Sequence, residues 1–366
     1  MNKQLPVTLV VGAGPVGMAG ALELDRQGMR VRIIEKNEQR STLSKAVGIN
    51  ARTLELLQPG GISQKLIARG LKVYRVNLRY GDRVLTTVDF SKMNHPFNFM
   101  LSLPQDETEA VLEQALQARD ITVEKGVEFS GYETDGDTVL ARIRRKDVAS
   151  AFDVDYILGA DGAHSAVRKS MGLDFPGRPY DDTWSLADVH MAWPYGHGEA
   201  HLIMRDDGKV LFAMSMPGKR YRLISNQGRV FDLLPERSEI RDVIWNTDFK
   251  VSLRQVVAYQ KGPVFLAGDA AHIHSPAGGR GMNLGIEDAV VFARRLVAGK
   301  LETYSDQRFA VGHQVVRESD MQFRMSSVSN PLGRIFRNFM VRNVLGSERV
   351  QRKFRRRMAG IDHLAA

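Results

Sequence analysis

The chain has 366 residues, 43% apolar and 25% charged, the balance of a globular protein long enough for two intergrown cores. Cysteine is absent, which excludes thiol redox chemistry and thiolate metal sites, and no apolar run reaches the roughly 18 residues of a membrane span. No signal-like segment precedes the first strand, so the expected compartment is the cytoplasm; the net charge of +9 gathers late, in Arg352-Lys353 and Arg355-Arg356-Arg357. With no aromatic-interleaved motif beside it, that run reads as a solvated helix face, and no nucleic-acid partner is expected.

Pro6 to Val11 is an apolar strand, and Gly12-Ala13-Gly14-Pro15-Val16-Gly17 follows it. In that context Gly12 makes the tight turn, Gly14 admits a pyrophosphate to the backbone, and Gly17 lets the next helix pack closely. The helix is predicted over Pro15 to Gln27, stopping at Gly28, with its N-terminal N–H groups facing phosphate. A second strand, Arg30 to Ile34, places Glu35 at its carboxyl end, where it can accept both ribose hydroxyls of an adenosine.

A strand over Asp153 to Leu158 leads into Gly159-Ala160-Asp161-Gly162, then a helix over Ala163 to Met171 that carries His164 and Arg168. The Asp161 carboxylate is placed to organise polar groups around a pyrophosphate. The third segment begins with the strand Pro263 to Ala267 and continues through Gly268-Asp269 and His272 to Leu284. Gly278, Gly279, Gly281 and Gly285 fall where a helix to Ala298 begins, so backbone can lie against a flat ring. That helix start would favour negative charge on a reduced flavin, and Asp269 can bind ribityl hydroxyls. His272 and His274 lack a third ligand, so no metal is expected. Three glycine segments in this order point to a flavin in one Rossmann-type domain.

Taken together, the segments resemble the class A FAD-dependent aromatic monooxygenases, the para-hydroxybenzoate hydroxylase and phenol hydroxylase-like family. The likeness extends to Lys45 to Leu57, Leu103-Pro104-Gln105, the Glu109 to Leu116 helix, Arg220-Tyr221-Arg222 and Tyr304 to Arg308. It implies that NADH or NADPH reduces noncovalently bound FAD. Oxygen then adds to give a flavin C4a-hydroperoxide, which hydroxylates an aromatic small molecule, phenolic or polycyclic. It also implies cofactor contacts at Gly12, Gly14, Pro15, Val16, Gly17, Glu35, Lys36, Lys45, Gln105, Asp161 and Asp269. The Pro276 to Asn283 backbone, including Gly279, Gly281 and Met282, would line the isoalloxazine, with His164 and Arg168 on the nicotinamide path. The family usually has Arg where this chain has Lys45, and the stretch from Arg222 to Phe249 looks shortened.

The expected architecture is α/β. A discontinuous FAD-binding domain spans 1–72, 101–180 and 258–300, a smaller sheet-based substrate domain spans 73–100 and 181–257, and helices fill 301–366. Strands are predicted over Val73 to Leu78 and Val210 to Met214. With no second GxGxxG, the nicotinamide must visit transiently, and the protein is expected as monomer or dimer. Should the substrate be a phenol, Tyr221, Arg220, His201 and His190 are the candidates to activate it. Other readings stay open: a flavin epoxidase, a halogenase (though Trp184 and Trp193 are isolated), or a flavin-binding protein without turnover.

Overall fold

The computed structural model describes residues 6–40, 46–135, 138–276 and 278–362; Lys45 and Ala277 therefore lie outside the described residues. The apolar strand Val7–Val11 is the centre of a six-stranded sheet, paired in parallel with Arg30–Glu35 on one side and Tyr156–Gly159 on the other. Val264–Leu266 and Gln260–Lys261 extend one edge, and Val123–Lys125 the other. A run without alternating polarity suits a strand with both faces covered. Helix α1 (Pro15–Arg26) stops at Gly28, whose φ of +79° only glycine adopts cheaply. Then come α2 (Ala51–Leu57), α3 (Ile62–Arg69), α4 (Gln105–Gln117), the short α5 (Ala166–Ser170) and α6 (Gly281–Val297). Asn50 caps α2 by accepting the Thr53 N–H at 2.9 Å.

An eight-stranded, mostly antiparallel sheet stands beside the first. Its order is His272–Ile273, Glu239–Gln255, Gly177–Ala192, Arg220–Ser225, Val210–Met216, Ala200–Met204, Arg75–Tyr80, Arg83–Asp89. Alternation sends Ala200, Leu202 and Met204 to the face that looks toward the glycine segments, with Phe212 and Met214 beside them. Ala187, Val189, Ile203, Leu211 and Tyr221 form a separate core on the other face. Helices α7 (Tyr304–Ser326), α8 (Pro331–Phe339) and α9 (Glu348–Met358) complete the chain. Among the described residues no helix is long and apolar enough to cross a membrane.

Three elements differ from the sequence reading. The strand expected over Asp153 to Leu158 is two. Val148–Val154 belongs to a three-stranded antiparallel sheet and Tyr156–Gly159 to the parallel one, with Asp155 at the switch accepting the Val7 N–H at 2.6 Å. The helix expected from Ala163 begins only at Ala166, because Asp161 and Ser165 side chains take the N–H groups of Ala166, Val167 and Arg168. The strand expected over Val73 to Leu78 divides at Tyr74 into Leu71–Val73, which pairs with Met100–Ser102, and Arg75–Tyr80.

Candidate active site

The first turn has the shape of a phosphate cradle. Gly12 has φ +101°, and a Cβ there would meet the Ala160 carbonyl oxygen at 2.5 Å; a Cβ on Gly17 would meet the Gly12 oxygen at 1.9 Å. Only glycine fits either place. Nothing stands within 4 Å of a Cβ on Gly14, so that backbone is open to a ligand. Gly14, Pro15 and Val16 border the main cavity, while Glu35 braces the turn from behind by accepting the Ala13 N–H at 3.0 Å. Its other oxygen accepts from Asn37 N and Nδ2 at 2.9 and 2.7 Å. A braced carboxylate beside an open glycine turn and a helix N-terminus fits the adenosine and pyrophosphate of a dinucleotide.

The third segment is held by a buried ionic cluster. Asp288 on α6 accepts from Arg308 Nε at 2.6 Å, His272 Nε2 at 2.7 Å and Gly268 N–H at 3.1 Å. Burial pushes the Asp288 pKa up, but Arg308 and His272 outweigh it and hold the group below the usual carboxylate range. The cluster fixes the turn that presents Asp269, itself exposed and on the cavity wall. His274 lies beside His272 with rings 6.3 Å apart; burial first, then His272 and Arg280 beside it, push its pKa down to about 4. Its Nδ1 faces the Ser275 carbonyl at 2.8 Å, while its buried Nε2 has no partner among the described residues.

One cavity of about 1360 Å³ joins these pieces. It runs from Gly14 past Gln105, Asp269, Pro276, Gly278, Gly279 and the start of α6 to an apolar chamber walled by Trp184, Leu202, Phe212, Met214 and Phe249. That exceeds the roughly 300–1,000 Å³ of a single small-ligand site. Room for a dinucleotide and a second apolar molecule is what such a volume offers. Arg222 ties the chamber sheet to the segment before α2: buried, it grips Asp188 through Nε and Nη2 at 2.7 and 2.6 Å and donates to the Ala46 carbonyl at 2.9 Å.

The family described as "FAD binding domain" matches residues 5–232 and 235–319. The chain belongs to this family of FAD-dependent aromatic monooxygenases. The 6-methylpretetramide 4-monooxygenase of Streptomyces rimosus is 32% identical over 85% of this chain and 60% of its own length. Pentachlorophenol 4-monooxygenase of Sphingobium chlorophenolicum is 29% identical over 84% of this chain and 62% of its own. The chain thus spans less than two-thirds of each of these relatives. The solved p-nitrophenol 4-monooxygenase of Pseudomonas putida DLL-E4 shares the fold, with a TM-score of 0.89 over 100% of this chain and 99% of that one at 22% identity. An anhydrotetracycline hydroxylase of Streptomyces rimosus superposes with a TM-score of 0.82 at 27% identity, over 98% of this chain and 76% of its own.

Within this flavoprotein fold, the residues singled out from sequence fall into three groups. Gly14, Pro15, Val16, Gln105, His164, Asp269, Pro276, Gly279, Gly281 and Met282 border the cavity, with Gly12, Gly17 and Glu35 behind the turn; Lys36 is exposed at the strand end. Asp161, Asn283 and Arg168 act chiefly on protein. Asp161 accepts Ser165 Oγ and two N–H groups of α5, and burial raises its pKa. The Asn283 amide binds Asn50 N–H, Thr53 Oγ1, and the Gly48 and Gly279 carbonyls, stapling α2 to the ring-side loop. Arg168 reaches the cavity wall, yet its guanidinium donates to the Ala270 and Ala163 carbonyls and lies 4.0 Å over Phe175.

The candidate bases are not brought to the chamber. His201 packs on Trp193 and Tyr195 on the far sheet face, and burial with Arg79 beside it pushes its pKa down to about 4. Tyr221 donates to the Gly196 carbonyl and, with His190, lines a separate pocket; burial raises its pKa. Arg220 Nε donates to the Pro217 carbonyl. Sequence reasoning missed Asp288, Asn50, Asp188 and Arg254, the last a cavity-wall cation that donates to the Phe175 carbonyl at 2.9 Å.

Proposed function

We propose that the protein hydroxylates an aromatic small molecule, phenolic or polycyclic, using noncovalent FAD, NADH or NADPH, and O2. One oxygen atom is inserted into a ring C–H bond to give the hydroxyl, and the other leaves as water. Two electrons come from the nicotinamide hydride, and one proton from solvent balances the equation. Bound FAD supplies the hydride acceptor and the activation of oxygen. The continuity of one cavity from the glycine turn to an apolar chamber carries this reading. Relatives named for pentachlorophenol and anhydrotetracycline support both substrate shapes.

This chain's residues would bind and orient. The Gly12 to Gly17 turn and the α1 N-terminus take the pyrophosphate, Glu35 the adenosine ribose and Asp269 the ribityl hydroxyls. Backbone from Pro276 to Gly281 supports the ring, and the start of α6 directs partial positive charge at it. Trp184, Leu202, Phe212 and Met214 hold the aromatic substrate and keep water out, which protects the reactive oxygen from wasteful loss. The chamber wall thus gives orientation rather than acid–base help. We assign 1–72, 101–180 and 258–300 to the flavin domain, 73–100 and 181–257 to the substrate domain and 301–366 to helices over both, in a cytosolic enzyme with no nucleic-acid partner. A panel of phenols and polycyclic aromatics should be screened for stimulated NADH and NADPH oxidation, with product masses. A product heavier by one oxygen atom supports the proposal; a flavoprotein that no aromatic stimulates refutes it.

A further inference from the structure

Helix α8 leaves a stripe of large apolar side chains in solvent: Leu332 (81% exposed), Ile335 (68%), Phe336 (64%) and Phe339 (58%). Their spacing of three and four puts them on one helical face, and a patch of this kind marks an interaction site. The stripe adjoins the chamber mouth. Met340 and Val341, directly after Phe339, line the cavity, and Met321, Met325 and Val344 are both exposed and part of its wall. Charge here is one-sided. From Pro331 to Met358 the sequence holds nine Lys and Arg residues and one acid, Glu348; Arg334, Arg356 and Arg357 pair with Asp206, Asp362 and Glu318 from outside the stretch, so the surface keeps an excess of positive charge. Arg337 and Arg355 are buried, whereas Arg342, Arg349, Arg352 and Lys353 are exposed.

We infer that α8 and the basic turns after it dock on an anionic lipid surface, with the chamber mouth turned toward the acyl layer. A bilayer with acidic headgroups satisfies both features at once, burying the apolar stripe and neutralising the cations. Nucleic acid would answer the charge but leave Leu332, Ile335, Phe336 and Phe339 wet. A second copy of this chain would cover the stripe but set two strongly basic surfaces against each other. Use of the mouth to draw an apolar aromatic from the membrane rests on the proposed hydroxylation; the docking surface itself does not.

Vesicle flotation of the FAD-loaded protein tests the surface without reference to turnover. Binding to phosphatidylcholine–phosphatidylglycerol vesicles should exceed binding to phosphatidylcholine alone by at least about tenfold and weaken with salt. Arg352→Gln/Lys353→Gln should cost about fivefold per charge removed. Ile335→Ser/Phe336→Ser should lose at least about tenfold while FAD content and melting temperature stay unchanged, since both side chains are exposed. Failure to bind either vesicle, or undiminished binding by the serine variant, overturns the inference. So does a dimer in sedimentation that the serine variant dissociates while no vesicle binds.

Discussion

Asp288→Asn removes a charge while keeping the shape of a buried side chain, and so isolates what the ionic cluster contributes. Asp288 is 1% exposed and receives Arg308 Nε, His272 Nε2 and the Gly268 N–H. Without its charge, Arg308 keeps only the Glu287 carboxylate, at 3.5 Å, as an ionic partner among the described residues. Breaking one partner of a buried pair costs about 3–5 kcal/mol, and the surviving acid places this case near the lower figure. At about 2.1 cal/mol/K of unfolding entropy per residue, a chain of this length loses about 4 °C of melting temperature. The Gly268 bond also weakens, by about 1 kcal/mol, so FAD affinity should fall about fivefold as the Asp269 turn loosens. Calorimetry of the apo-protein gives the first quantity and flavin fluorescence titration the second. A melting temperature within about one degree of wild type, with unchanged FAD affinity, would refute the assignment of Asp288 as the anchor of this turn.

The same cluster sets a pH window. Arg308 and His272 hold the folded pKa of Asp288 below that of an unfolded Asp, near 3.9, so its stabilisation is fully present above about pH 4 and is lost as pH falls through the folded value. Wild type and Asp288→Asn stabilities should converge at the acid end of a denaturation series, and a constant gap would refute this. Purified protein should be yellow, releasing FAD on acid treatment; FMN in its place would sink the adenosine role of Glu35. Asp269→Ala should weaken FAD by about 1.5–3 kcal/mol through loss of a charged hydrogen bond, and wild-type affinity would show the ribityl assignment wrong. Arg168→Ala should lower both melting temperature and FAD retention, since its guanidinium joins the Ala270 and Ala163 carbonyls. A raised Michaelis constant for NAD(P)H with neither change would instead place Arg168 on the nicotinamide path.

The glycine turn was legible because its determinants are local. Gly12, Gly14 and Gly17 sit within one turn between a strand and a helix, and Glu35 ends the neighbouring strand, so residue spacing alone carries the geometry. The buried cluster was opaque for the opposite reason. Asp288 and Arg308 are twenty residues apart on separate helices, and the Asn283 amide reaches back to Asn50 across the whole parallel sheet unit. The resemblance places Asn283 along the ring, and its side-chain amide is taken by α2 and the loop before α6, contacts that only the fold reveals. Asp161 is similar. Its place at the end of a strand was readable, but that its oxygens would be taken up by α5 depended on a helix beginning three residues later than expected.

Strand parity decides the chamber. In Ala200-His201-Leu202-Ile203-Met204 every residue is compatible with either face of a two-sided sheet, so composition gave no hint which set would line the cavity. The sheet packs with Leu202 and Met204 inward, and His201 is thereby committed to Arg79, Trp193 and Tyr195 on the far side. Tyr221, on the strand that begins at Arg220, shares that fate, while its neighbour Arg222 faces inward and is spent on Asp188. The polar candidates on this sheet, His201, Tyr221 and Arg222, are thus either turned away or already paired. Under the proposed function, discrimination among aromatic substrates would fall to Leu202, Phe212 and Met214 on the cavity wall, where a change of side-chain volume would alter which rings fit. Changes at His201 or Tyr221 act on the stability of the sheet that carries them.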